Sequence, residues 1–160
     1  MNNLIRISVR NLVEFVLRSG DIDNSFMSMS RALEGTMAHQ KVQSSYGIEY
    51  KPEVSLKHKV EYGKFTILLE GRADGIFTYT DHFRIDEIKS TTRDLRIIEE
   101  DYNPLHWAQA KCYAYIYAVQ NNLANIDVQL TYFHIETEET KKFIKSFTFF
   151  QIEEYFFKLI

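Results

Sequence analysis

Cysteine, proline and glycine are scarce in this chain of 160 residues, which contains one Cys, two Pro and six Gly. The single cysteine, Cys112, excludes a disulfide framework and a metal cluster built from cysteines. It also favours a cytoplasmic, reducing compartment. Because proline and glycine are the strongest breakers of regular structure, their scarcity predicts that helices and strands occupy most of the chain.

Long apolar runs and an excess of positive charge are missing as well. No segment approaches the roughly 18 uninterrupted apolar residues that a membrane span requires, so we expect no membrane partner. Lys and Arg number 19 against 22 Asp and Glu, which gives a formal charge of −3. Proteins that bind nucleic acid unaided usually carry a positive excess, because much of their affinity comes from neutralising phosphates. Tight, autonomous DNA binding is therefore disfavoured, although carboxylates around a metal site would lower the same sum.

Length and composition, with 45% apolar and 26% charged residues, are those of one globular domain. Ser8 is the expected N-cap of a first amphipathic helix that ends near Gly20. Its inward face is expected to comprise Leu12, Phe15, Val16 and Leu17. A second helix is predicted from Ser25 to about Ser45.

Alternating patterns from Val54 to Lys89 predict three or four strands, with Gly63-Lys64 as a hairpin turn. Pro104 begins a third predicted helix. Two more strands, DVQLTYFHIE and KKFIKSFTF, and a last helix, FFQIEEYFFKLI, complete the chain. This order predicts an α/β domain with a central mixed sheet flanked by helices.

Two carboxylates and a lysine fall on the predicted strands. Glu87 and Lys89 are two residues apart, so both side chains project from one face of a strand. Asp74 precedes them at a distance that lets a hairpin bring the two strands together. Paired carboxylates are suitable oxygen ligands for Mg²⁺ or Mn²⁺, and a lysine can stabilise an attacking water or a developing phosphate charge. The alternative is that Glu87 and Lys89 are solvent-facing residues of an amphipathic strand.

The segments GRADGI, IDEIKS and WAQAKCYAY together resemble the PD-(D/E)xK nuclease superfamily, specifically its RecB-like exonuclease branch. That pattern has an Asp on one strand, a (D/E)-x-K motif on the next strand and a Gln-x-x-x-Tyr motif on a helix. An upstream Gly-x-x-x-His spacing is also common in this branch. The matching positions here are Gly35, His39, Asp74, Glu87, Lys89, Gln109 and Tyr113.

The resemblance implies a restriction-endonuclease-like fold and a divalent-metal-dependent deoxyribonuclease, exonuclease being favoured over endonuclease. The implied ligands of Mg²⁺ or Mn²⁺ are His39, Asp74, Glu87 and the backbone carbonyl of Ile88. Asp74, Glu87 and Lys89 are the implied catalytic residues, with Lys89 positioning the attacking water. Gln109 and Tyr113 would orient the DNA. Many relatives hold an iron–sulfur cluster with four cysteines, and since this chain has only Cys112 we expect none.

The N-terminal segment ISVRNLVEFVLRSGDID, with the pattern of residues after it, is similar to the nuclease domain at the N-terminus of some bacterial DinG/XPD-like DNA helicases. We therefore expect residues 1–160 to be one nuclease domain from a longer chain, with a helicase domain C-terminal to Ile160. The implied substrate is DNA, as single strands or linear ends, in repair or recombination. No GxxxxGK[ST] phosphate loop occurs in these residues.

Other interpretations remain open. The same pattern is compatible with a catalytically silent nuclease fold that binds nucleic acid or acts as a scaffold. The aromatic segment FFQIEEYFFKLI also suits an oligomerising module. Taken singly, His39 is compatible with a core histidine. Gln109 and Tyr113 are compatible with an ordinary helix surface, or with a tyrosine that packs on the sheet beside an exposed glutamine.

Overall fold

The computed structural model describes residues 3–17 and 29–160. Within these residues the chain forms six strands, four α-helices and one short 3₁₀ turn, Leu95–Ile97. The strands are β1 Asn3–Ser8, β2 Tyr50–Tyr62, β3 Phe65–Thr78, β4 Phe83–Thr91, β5 Asn125–His134 and β6 Thr140–Thr148. The helices are α1 Val9–Leu17, α2 Met29–Ser44, α3 Pro104–Asn121 and α4 Phe149–Leu159.

All six strands belong to one mixed sheet, in the order β1-β3-β4-β5-β6, with β2 along the other edge of β3. β1 runs parallel to β3 and β4 runs parallel to β5, whereas the remaining pairs are antiparallel. Helices α1, α3 and α4 pack on one face of the sheet. Helix α2 packs on the other face, where Ala38 and Val42 meet Ile88 and Phe133. The predicted α/β class, a mixed sheet flanked by helices, is confirmed.

Helix α3 is the centre of the core. Asn103 caps its first turn by accepting a hydrogen bond from the backbone N–H of Leu105, and Pro104 occupies the first turn, where no intrahelical N–H bond is lost. Asn122 ends the helix in the left-handed conformation. Half of the side chains of α3 are buried, because it lies between α1, α4 and the sheet. A helix held on every side is a rigid support for the polar groups it carries.

The hairpin predicted at Gly63-Lys64 is present, with Gly63 at φ 58°. Ser8 also caps α1 as predicted, since its hydroxyl accepts a hydrogen bond from the N–H of Asn11. No helix in the described residues is both long and apolar enough to cross a membrane.

Three local predictions need correction or completion. The buried residues of α1 are Val9 and Val13, and the predicted inward residues Phe15 and Val16 are 62% and 39% exposed. At 100° per residue Phe15 lies on the far side of the helix from Val9 and Val13. Strand β1 was not predicted, and β2 begins at Tyr50 rather than Val54. Residues 25–28 of the predicted second helix lie outside the described residues, and its described part ends at Ser44.

Candidate active site

The candidate site lies at a fork in the sheet. One edge of β3 pairs with β1 through Phe65–Glu70 and then with β4 through Gly75–Thr78. The four positions between them, residues 71–74, have no strand partner on this edge. β4 pairs with β5 from Arg84 to Thr91, but its pairing with β3 ends at Asp86. Asp74 and Glu87 therefore face each other where the two strands separate.

Asp74 also marks a break in the ladder between β3 and β2. The pairing runs continuously on both sides, but Asp74 and Glu53 are not paired, and Glu53 has φ 54°. The core-facing residues of β3 accordingly change from odd positions, such as Ala73, to even ones, such as Ile76. Gln43 of α2 fills the break, because its amide donates to the Asp74 carbonyl at 2.8 Å and to Glu53 Oε1 at 3.1 Å. The irregularity turns the Asp74 side chain toward the fork.

Backbone and side-chain donors converge on the Asp74 carboxylate. The N–H of Ile88 donates to its Oδ2 at 2.7 Å, and His39 Nε2 lies 3.5 Å from the same oxygen. Because the N–H and C=O of one strand residue point to the same edge, the Ile88 carbonyl also faces the fork. His39 Nδ1 lies 2.8 Å from the Gly35 carbonyl, which can only accept, so Nδ1 carries the proton. Burial opposes a positive charge on His39, but the hydrogen bond to Asp74 and the charge of Asp74 outweigh it and raise the pKa of His39. Nε2 therefore donates to Asp74 when His39 is protonated, and when His39 is neutral the lone pair of the same nitrogen faces the site, as is usual for a ligating histidine.

Glu87 is the least satisfied group in the site. It is 3% exposed, and its Oε2 is one of two buried side-chain oxygen or nitrogen atoms in the described residues that have no hydrogen-bond partner. Burial raises the pKa of Glu87 well above its usual value, an effect that Lys89 opposes and the charge of Asp74 reinforces. Burial works against ionisation of Asp74 too, but hydrogen bonds from Glu87 and His39 outweigh it and hold the pKa of Asp74 at about 2. Of the two carboxyl groups, Glu87 is therefore the more readily protonated and Asp74 the more readily ionised.

The donor set fits a divalent cation of the hard, oxygen-preferring kind. Two carboxylates, an imidazole nitrogen and a backbone carbonyl are the groups that Mg²⁺ and especially Mn²⁺ accept. The unpartnered Glu87 Oε2 is the observation that favours this fit, since a buried carboxylate oxygen is costly unless a proton donor or a cation meets it. As placed, no three His, Cys, Asp or Glu side chains of residues 3–17 and 29–160 already form a cage for an ion.

Lys89 is held by the helix that carries the Gln-x-x-x-Tyr motif. Its Nζ donates to Gln109 Oε1 at 3.1 Å. Burial and the nearby Glu87 raise the pKa of Tyr113 to about 12, although hydrogen bonds from Gln109 and from the Arg72 backbone oppose the shift. A Cβ at Gly71 would lie 2.9 Å from the Tyr113 ring and hydroxyl. Gly71 therefore makes room for Tyr113, and the motif ties Lys89 to the unpaired stretch of β3.

His106 adjoins this group, although its sequence context gave no reason to single it out. Its Nδ1 lies 2.9 Å from the hydroxyl of Tyr132, which is the register partner of Lys89 on β5. Burial and the charge of Lys89 lower the pKa of His106 to about 3, so it is neutral. The signal that could have found it is spacing: His106, Gln109 and Tyr113 stand at i, i+3 and i+7 on one helix face.

The reverse face of β4 carries a second carboxylate with a different environment. Asp86 is fully buried, and its Oδ1 accepts hydrogen bonds from Thr131 at 2.6 Å and Gln129 at 3.2 Å. Its Oδ2 accepts from the Tyr50 hydroxyl at 3.0 Å. Burial raises the pKa of Asp86 to about 6, and these three donors limit the rise. Each oxygen of Asp86 thus has a donor, which is the environment of a structural residue.

Comparison with known proteins shows the fold and leaves the family open. No family model matches the chain, and no curated protein matches it. The crystal structure of SSO0001 is similar, with a TM-score of 0.61 and 18% sequence identity over 96% of this chain and 74% of that chain. At this identity the similarity establishes a shared fold. It agrees with the mixed sheet flanked by helices.

Proposed function

We propose that this protein is a divalent-metal-dependent nuclease that hydrolyses phosphodiester bonds of DNA at the fork between β3 and β4. The observation that carries the proposal is the buried pair of Asp74 and Glu87, with the unpartnered Glu87 Oε2, next to Lys89. A purely structural pair would have been paired with donors, as Asp86 is. The free-energy cost of burying a polar atom without a partner is tolerated mainly at functional sites.

Asp74, Glu87, His39 and the Ile88 carbonyl would hold the cation. Bound there, Mg²⁺ or Mn²⁺ would stabilise negative charge on the phosphate and lower the pKa of a water molecule. The protein's own contribution is to keep these donors in place before the substrate arrives. The Ile88 N–H fixes the Asp74 carboxylate, and the Gly35 carbonyl fixes the tautomer of His39.

Lys89 would act on the reacting groups. Its ammonium projects from the same strand face as Glu87, and Gln109 limits its position. A lysine there can orient the attacking water and stabilise the charge that develops on the phosphate. Gln109 and Tyr113 fit a positioning role, since one contacts Lys89 and the other packs on Gly71.

DNA as the substrate, and an exonuclease acting with a helicase domain, come from the resemblance in sequence. The formal charge of −3 supports an arrangement in which a helicase domain supplies the DNA affinity, because a domain without a basic excess needs a partner for tight DNA binding. A free end of a single or double strand would enter at the fork. We propose this assignment together with the activity.

The test is cleavage of labelled linear and circular DNA, single- and double-stranded, with Mn²⁺, Mg²⁺ or EDTA. Wild type and Lys89→Ala are compared. Cleavage that requires a metal and is lost in Lys89→Ala supports the proposal, and sparing of circular DNA identifies an exonuclease. Metal-independent cleavage, or cleavage unchanged in Lys89→Ala, contradicts it. Absence of both cleavage and metal binding favours a catalytically silent nucleic-acid-binding or scaffolding fold.

A further inference from the structure

A cavity of about 780 Å³ lies away from the fork, between the start of α3, the last helix and β6. Trp107, Pro104 and Tyr155 form its apolar wall, and Lys111 and Lys145 supply positive charge. The acidic residues 99–101 line its mouth. Cavities of this size hold ligands with one or two rings.

The cavity is separate from the candidate active site. Gln109 and Tyr113 point toward Lys89 and β3, whereas Trp107 and Lys111 alternate with them along α3. Two residues along a helix correspond to a rotation of about 200°, so the two pairs lie on opposite sides of α3. A ligand in the cavity would therefore leave the fork free.

Lys111 is the unusual group in this cavity. It forms no ion pair among the described residues, and its ammonium lies 4.3 Å from the ring centroid of Tyr155 and 5.2 Å from that of Phe147. Burial, with a smaller effect of Lys145, lowers the pKa of Lys111. Lys145 itself is paired with Glu100 at 2.7 Å. A partly buried ammonium that lies over two aromatic rings and has no ion-pair partner among the described residues can take an anion from a ligand.

The acidic mouth restricts what that ligand is. Glu99 and Asp101 form no ion pair in the part of the chain described, and they would repel a strand with several phosphates. They can instead accept hydrogen bonds from an amino group, as carboxylates do from the N4 amine of cytosine. The complementary ligand has one anionic group, a flat ring and an exocyclic amine.

We propose that this cavity is a second binding site, for a free nucleoside monophosphate with an amino-bearing base. The phosphate lies on Lys111, the base lies against the wall formed by Trp107 and Tyr155, and the amine donates to Glu99 or Asp101. The inference rests on the cavity and holds whether or not the fork cleaves DNA. A nucleotide released by exonuclease chemistry would be one source of the ligand.

The test uses the single tryptophan of the chain as a reporter. Emission of Trp107 is followed while dCMP, dTMP, inorganic phosphate or a short oligo(dC) is added in EDTA, and calorimetry provides a second measurement. We expect saturable binding of dCMP with a Kd of about 0.1–1 mM. Binding of dTMP is expected to be at least about fivefold weaker, because its O4 is an acceptor where cytosine has a donor. Inorganic phosphate and oligo(dC) are expected to bind more weakly than dCMP.

Variants locate the site. Lys111→Met keeps the length of the side chain and is expected to weaken dCMP binding at least about tenfold, the usual range for losing a buried charge-assisted contact. Lys158→Met is the matched control, because Lys158 is exposed and paired with Glu154, and it should leave the Kd within about twofold. Glu87→Gln should also leave it unchanged. No saturation, equal affinity in Lys111→Met, equal binding of dTMP, or loss of binding in Glu87→Gln would overturn the proposal.

Discussion

Asp86 and Glu87 are consecutive in the chain, buried to almost the same degree, and opposite in their environments. Asp86 is 0% exposed and accepts hydrogen bonds from Tyr50, Gln129 and Thr131. Glu87 is 3% exposed and keeps one oxygen without a partner. Because successive side chains of a strand point to opposite faces, one carboxyl faces α2 and the other faces the fork. Burial alone does not distinguish a structural acid from a functional one; the completeness of its hydrogen bonding does.

The two glycines that flank Asp74 differ in the same way, since one contacts the Asp86 face of the sheet and the other the Glu87 face. A Cβ at Gly75 would collide with the hydroxyl end of Tyr50, the donor to Asp86. A Cβ at Gly71 would press on Tyr113, which belongs to the group around Lys89. Each glycine therefore admits a tyrosine, one on each face of the sheet. The comparison predicts that substitutions on the Asp86 face reduce stability, while substitutions on the Glu87 face reduce activity.

The largest effect is expected for Glu87→Gln on DNA cleavage. Loss of one carboxylate charge from the proposed metal site should reduce the rate at least about 10³-fold, near 4 kcal/mol. Tyr50→Phe, which removes a donor to Asp86, is the matched change on the other face and should alter the rate less than about fivefold. The measurement is single-turnover cleavage with Mn²⁺. Equal losses in the two variants would refute the division between the faces.

Gly75→Ala should produce the largest loss of stability. Displacing Tyr50 crowds the core and leaves Asp86 short of a donor, which together cost about 3 kcal/mol. Urea unfolding followed by circular dichroism measures this loss, and Gly63→Ala is a useful contrast because its Cβ would meet no atom within 4 Å. The cost at Gly63 is confined to backbone strain at φ 58°. A Gly75→Ala variant as stable as wild type would show that the Asp86 network does not hold β4.

Glu87→Gln should stabilise the metal-free protein at neutral and mildly alkaline pH. Burial raises the pKa of Glu87 in the folded state, so its contribution to stability is present at low pH and is lost as pH rises through that folded pKa. A neutral glutamine avoids this loss, which we expect to be about 1–2 kcal/mol or several degrees in Tm at about pH 8.

Melting curves in EDTA at acidic and alkaline pH measure the effect of Glu87→Gln. Addition of Mn²⁺ should reverse the order of the two proteins, because only wild type gains stability from the ion. An unchanged Tm difference between the two pH values would contradict the raised pKa of Glu87.

Gly71→Ala is expected to have the smallest of these effects. The added methyl group would lie 2.9 Å from the Tyr113 ring, so the tyrosine must shift by a fraction of an ångström. Through Gln109 this shift reaches Lys89, and we expect cleavage to fall about tenfold with little change in substrate affinity. Tyr113→Phe in the Gly71→Ala background relieves the contact with the hydroxyl and should recover part of the rate. If Gly71→Ala were as active as wild type, Tyr113 would have no role in positioning Lys89.

The sequence predicted those features that depend on neighbouring residues. Alternation identified β2, β3 and β4, Pro104 identified the start of α3, and the hairpin spacing of Asp74 and Glu87 correctly predicted that they lie together. Strand β1 was not predicted, because its six residues are exposed or half-buried and do not alternate between a buried and an exposed face. The predicted inward orientation of Phe15 is wrong because the rotation of the helix places this residue on the far side from Val9 and Val13.

The features that the sequence could not predict depend on distant pairings. The fork exists because β3 exchanges β1 for β4, and no local pattern records this exchange. The break in the ladder also depends on the three-dimensional structure. It leaves Glu53 and Asp74 unpaired and is filled by the amide of Gln43. The place of His106 beside Lys89 depends on the helix face that it shares with Gln109, and a single histidine in the sequence does not reveal that face.

Calorimetric titration of Mn²⁺ into wild type, Glu87→Gln and Tyr50→Phe tests whether Asp74 and Glu87 hold a metal ion. We expect one ion bound per wild-type molecule, binding lost in Glu87→Gln, and binding retained by the folded Tyr50→Phe protein. Binding that survives in Glu87→Gln, or that fails equally in both variants, would contradict a metal site at the fork between β3 and β4.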